Sequence, residues 1–112
     1  MDAKQVIAPG VWYVRVAEIE VDPVQLEAYK AAARETVEDS VRLEPGVLAL
    51  YSVSDKDNPA PVTVFEIYAD IDSYKSHLET AHFKKYKAAT QGMVRSLKLR
   101  DTVPIALRAK SK

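Results

Sequence analysis

Residues 47–53, VLALYSV, and 62–69, VTVFEIYA, are short runs in which both alternating sets of side chains are apolar. Successive side chains of a strand point to opposite faces. Val47, Ala49, Tyr51 and Val53 are therefore expected on one face with Leu48 and Leu50 on the other, and Val62 and Val64 opposite Phe65 and Ile67. A sheet made of such strands has to be covered on both sides. The loop between them, DKDNPAP, is dense in turn formers and reads as a hairpin connection.

The rest of the chain supplies cover for one side only. Residues 11–21, VWYVRVAEIEV, are rich in β-branched and aromatic types and read as a strand. Asp22 and Pro23 can cap and open a helix whose apolar positions Leu26, Tyr29, Ala33, Val37 and Val41 recur at steps of three and four, up to Glu44-Pro45-Gly46. Residues 72–91 read as a second helix and residues 96–107 as a fourth strand, in which Pro104 suits an edge or a bulge. The order βαββαβ predicts an α+β, ferredoxin-like domain: a four-stranded antiparallel sheet with helices on one face. The uncovered face then calls for a second copy packed sheet to sheet, a homodimer.

At 112 residues the chain is expected to form a single domain, with loose ends at 1–10 and 108–112. Sixteen basic residues balance sixteen acidic ones, which removes the electrostatic footprint of a nucleic-acid binder or an anionic-membrane binder. The absence of cysteine excludes disulfides, thiolate metal sites and cysteine nucleophiles. With no signal-like or membrane-spanning run, the expected setting is soluble and cytoplasmic. The expected partner is small or another protein.

Chemistry concentrates in two places. Glu66 stands in the most apolar strand with Tyr68 on its own face, and a carboxylate in such a setting needs a partner or serves as an acid, a base or an orienting group. YKSHLETAHFKKY, residues 74–86, holds both histidines. On one unbroken helix, five residues turn roughly 500°, which leaves the His77 and His82 rings about 140° apart. Thr80 is a fair N-cap, so a break there would let both rings reach one cavity, with Glu66 expected beneath it. At the new helix N-terminus the dipole favours a neutral His82 able to accept a proton. The spacing does not match same-face metal ligands, and no metal is expected. An apolar, aromatic pocket with a few polar groups suits a small planar ligand. Trp12 and Phe83 are expected to pack or to form its wall.

The run from Glu44 to Lys87 resembles the antibiotic biosynthesis monooxygenase family, particularly its small bacterial members labelled quinol monooxygenases. The residues that carry the likeness are Glu44-Pro45-Gly46, Asn58-Pro59, Glu66 with Tyr68, His77, and His82-Phe83. The resemblance implies a dimeric α+β barrel that oxygenates small phenolic or other aromatic compounds without flavin, haem or metal, O2 being reduced by the deprotonated substrate. It suits His82 or His77 as base, Glu66 orienting or balancing it and Tyr68 as donor to an oxyanion; Arg15 in the first strand is a candidate for holding an anionic group, and Tyr29 and Phe83 for contacting the substrate. Val64 and Tyr68 stand where better-understood relatives carry asparagine and tryptophan, Lys87 where haem-degrading relatives carry histidine, and Ala81 where proline commonly precedes the motif histidine. Related readings are an isomerase of a small phosphorylated carbonyl compound, which shares the proton abstraction, and a non-catalytic small-molecule-binding dimer.

Overall fold

The computed structural model describes residues 12–110. Strands β1 (Tyr13–Val21), β2 (Val47–Ser54), β3 (Pro61–Tyr68) and β4 (Val94–Thr102) form one sheet in the order β2-β3-β1-β4, with every neighbouring pair antiparallel. Helix α1 (Leu26–Leu43) crosses from β1 to β2, and α2 (Ile71–Leu78) with α3 (Ala81–Thr90) crosses from β3 to β4. This is the ferredoxin-like α+β arrangement, its second helix divided in two. The expected loose ends at 1–10 and 111–112 lie outside the described residues, and 108–110 carry no regular structure.

Local chemistry accounts for the element ends, with small corrections. The Asp22 carboxylate accepts from the Val24 N–H at 3.1 Å, but it caps a single 3-10 turn at Pro23–Gln25, and α1 begins only at Leu26. The buried stripe of α1 starts at Leu26, Tyr29 and Ala33 and then drifts to Thr36 and Ser40, leaving Val41 exposed. The fourth strand begins at Val94 and ends at Thr102. Pro104 therefore lies beyond the strand, having no N–H to give a ladder. β4 is an edge strand, as its sequence suggested.

Packing defines the two faces of the sheet. Ala17, Ile19 and Val21 of β1 meet Leu26, Tyr29 and Ala33 of α1 and Val62 of β3 in one buried cluster, so the helices cover this face. Register puts Val64 opposite Ala17 and Glu66 opposite Arg15, with Leu50 beyond Glu66 on β2. The other face carries Val16, Phe65 and Tyr51 in one row and Val14, Ile67 and Ala49 in the next. Tyr51 and Val53 there remain exposed. Both faces are apolar over β2 and β3, as expected, but the outer face turns charged at Glu18, Glu20, Lys98 and Arg100 across β1 and β4, and one position of β2 also differs. An irregularity between Val47 and Ala49 gives Val47 to Tyr68 as its partner and so places it on the helix face, opposite to what strict alternation predicts.

Gly46 sets how closely α2 approaches β2. A Cβ at Gly46 would collide with the Ser73 side chain near the start of α2, while the Gly46 carbonyl accepts from the Ala69 N–H at 2.8 Å. The glycine's φ is ordinary, so its use here is the space of a missing side chain. That close approach carries the His77 turn of α2 up to the end of α1.

Candidate active site

The helix breaks at Glu79–Thr80. The Thr80 hydroxyl donates to the His77 carbonyl at 2.8 Å and accepts from the Phe83 N–H at 3.2 Å, so one side chain serves the end of α2 and the start of α3. Across this bend the rings of His77 and His82 come within 6.3 Å, centroid to centroid. A straight helix would hold them apart.

The group between them is Glu44. Its Oε2 lies 2.9 Å from His77 Nδ1 and 2.5 Å from His82 Nε2. The three side chains are nearly enclosed, at 12% exposure for Glu44, 6% for His77 and 13% for His82. A carboxylate only accepts, so each ring nitrogen facing it carries the proton. A neutral His77 then carries its proton on Nδ1 and leaves Nε2 as the acceptor, the form of a general base oriented by a carboxylate.

Glu66, expected beneath the break, is engaged elsewhere. Its Oε1 accepts from the Tyr68 hydroxyl at 2.7 Å, on the strand position opposite Arg15. Burial, and then the nearby Glu66 carboxylate, push the Tyr68 phenol far above its ordinary value, so Tyr68 remains a donor. The Tyr68 ring stands 5.6 Å from His77 and 5.3 Å from Tyr74. Phe83 packs on His77 at 4.8 Å. Tyr29 shares a 2.7 Å hydrogen bond with Tyr86, and burial raises both phenols.

These groups meet at a cavity of about 720 Å³ between sheet and helices. Its floor includes Arg15, Ala17, Val64, Glu66 and Tyr68, and its roof Tyr29, Ser40, Tyr74, His77 and Phe83. Leu97 and Leu99 of β4 line its rim and are half exposed. Of the seven residues expected at the site, six stand in this wall; His82 does not, and neither do Glu44 and Trp12. His82 reaches the cavity through Glu44 and His77.

Sequence reasoning missed three participants. Glu44 entered only as part of Glu44-Pro45-Gly46. Its signal was its position, since a carboxylate just past a helix C-terminus opposes the helix dipole and needs cations or donors to offset that. Tyr74 shares a face of α2 with His77, three residues on. Ser40 carried no signal beyond being a polar residue on an otherwise apolar stripe.

Glu44, His77 and His82 also place one ligand atom each within 4.8 Å of one another, a set that could hold a metal ion. Their observed contacts are direct hydrogen bonds, and the cluster meets the cavity only through His77. No described helix is long and apolar enough to cross a membrane.

Comparison with known proteins agrees with this architecture. Curated proteins returned no match. Among solved structures, one from Bacteroides thetaiotaomicron named for antibiotic biosynthesis monooxygenase shares 48% identity at a TM-score of 0.88, covering 94% of this chain and 100% of that one. A monooxygenase-named structure from Lactobacillus acidophilus shares 29% identity at 0.81, covering 88% of this chain but 47% of that one. One from Nitrosomonas europaea shares 25% at 0.80, covering 85% and 91%. The family model described as antibiotic biosynthesis monooxygenase matches residues 12–89, from the start of β1 nearly to the end of α3. The chain therefore belongs to the antibiotic biosynthesis monooxygenase family, and a general monooxygenase-like function goes with that membership.

Proposed function

We propose that the chain is a cofactor-independent monooxygenase of a quinol or similar small phenolic compound, with His77 as the base. The observation that carries this reading is His77 itself, bonded to Glu44 through Nδ1 and standing in the wall of an apolar cavity. His77 Nε2 takes a proton from the bound substrate, and the Glu44 carboxylate stabilises the imidazolium that forms. Tyr68, held as a phenol, turns its single O–H from Glu66 to donate to the oxyanion left on the substrate. The anion then reduces O2: one oxygen atom enters the ring, the other leaves as water, and a quinol leaves as a hydroxyquinone. The substrate supplies all the electrons in this balance, so the reaction requires no separate reductant.

Aerobic and anaerobic turnover of a panel of quinols tests the reading. It expects one O2 consumed per substrate and no product under argon. Turnover unchanged without O2 would replace oxygenation by isomerisation, which uses the same proton abstraction. Binding without turnover in either atmosphere would leave a ligand-binding module.

The open part of the outer sheet face, beside the already buried Val14 and Ile67, supports a homodimer as the working form. Tyr51 and Val53 are exposed there beside Phe65 and Ile67. The Lactobacillus acidophilus chain, about twice the length matched here, has room for two such domains in one polypeptide. Val53→Asp places a charge in that face and is expected to yield a monomer in sedimentation at micromolar concentration, against a dimer for the parent. A parent that sediments as a monomer would overturn the dimer.

A further inference from the structure

We propose that Arg15 is a docking point for a single carboxylate on the substrate, so that the cavity selects hydroxylated aromatic acids over neutral quinols. This rests on the cavity being the substrate site, as proposed above.

The Arg15 side chain is 8% exposed and forms part of the cavity floor. A guanidinium offers five N–H donors and is always charged, so burying it without acceptors is costly. Its Nε makes no hydrogen bond at all, although Asp101 Oδ1 stands 3.5 Å away. Asp101 is 71% exposed and accepts instead from the Tyr13 hydroxyl at 2.8 Å. Glu66 faces Arg15 across the strand pair, but its bonded oxygen is given to Tyr68. The guanidinium carbon lies over the Tyr74 ring at 4.3 Å, and a guanidinium's fork of donors suits a planar, two-oxygen partner.

A second unsatisfied polar atom points the same way. Ser40 is fully buried, its Oγ has no partner, and it too lines the cavity, in α1 one turn before Glu44. Arg15 contacts Tyr74 and His77 contacts Tyr68, and those two rings touch each other. A ligand with a carboxylate at one end and hydroxyls on its ring can therefore meet Arg15 and the His77 side of the same cavity together.

Calorimetric titration of the full-length protein under argon, where turnover does not intervene, tests this with a matched pair: dihydroxybenzoate and dihydroxybenzamide. The parent is expected to bind the acid at least about tenfold more tightly than the amide, the equivalent of one charge-assisted bond pair. Arg15→Met should erase the preference, and Arg15→Lys should keep part of it, since a point charge replaces a fork. Equal affinity of the parent for acid and amide, binding of neither, or an acid preference surviving in Arg15→Met would overturn the proposal. If Arg15→Met does not fold, the parent's acid-to-amide ratio and that of Arg15→Lys decide. Failure of the O2 test with the acid preference intact would remove the oxygenase reading and leave this one standing.

Discussion

Glu44 ends α1 beside the α2–α3 break, where it does for the histidines what the sequence assigned to Glu66. Glu44→Gln keeps the shape and an acceptor oxygen for both ring N–H groups, so the fold should persist. What is lost is the negative charge that balances protonated His77. Removing one charge-assisted hydrogen bond of this kind costs about 1.5–3 kcal/mol, so kcat should fall roughly tenfold to a hundredfold while melting temperature changes little. Steady-state kinetics beside a thermal melt checks this, and a variant with unaltered kcat would deny Glu44 its role. At this scale the sequence showed residue types but not their pairing. Glu66 and Tyr68 are two apart on one strand, so their contact was readable from alternation. Glu44 and His77 are 33 residues apart and meet only because α1 and α2 pack at one end of the sheet.

Among elements, the α2–α3 break is the part that local chemistry foretold. Thr80 supplies its own N-cap bond and closes the preceding turn, so the bend needs no proline and Ala81 suffices. Thr80→Ala removes both bonds. The expected cost is about 1 kcal/mol of stability, read as a lower denaturation midpoint at unchanged m-value, and kcat should fall as the histidines lose their fixed angle. Unchanged stability and kcat would mean that tertiary packing alone holds the bend. The Val47–Ala49 irregularity was not legible, because strict alternation is the only pattern a sequence of apolar residues presents. The end of β4 before Pro104 was misjudged for a related reason: apolar residues continue past the point where hydrogen bonding stops.

For the whole molecule, the order of elements followed from hydrophobic period and turn residues, whereas two-sided strands foretold only the apolar β2–β3 part of the second sheet face. The cavity did not, since its volume depends on α1 turning Thr36 and Ser40 inward where an apolar stripe would have filled the space. Its aromatic lining makes a pH prediction. Burial, and then neighbouring groups, raise the Tyr29 and Tyr68 phenols in the folded chain above the ordinary value of about 10. A raised folded value means that the folded state holds these protons more tightly, so the associated stability is complete below that ordinary value and is lost as pH rises above it. The melting temperature should therefore fall on raising pH from about 9 to about 11, with tyrosinate absorbance from these two residues appearing together with unfolding. Full tyrosine ionisation in a chain still folded would contradict the burial.

The central claim is that His77, and not His82, takes the substrate's proton. Comparing kcat/KM of His77→Ala and His82→Ala on the best quinol or hydroxybenzoate substrate tests it most directly. The account predicts a loss of about a hundredfold to ten-thousandfold for His77→Ala, the range of a positioned general base. For His82→Ala it predicts no more than about tenfold, the effect of loosening one hydrogen bond to Glu44. A His82→Ala loss equal to or greater than that of His77→Ala would contradict it.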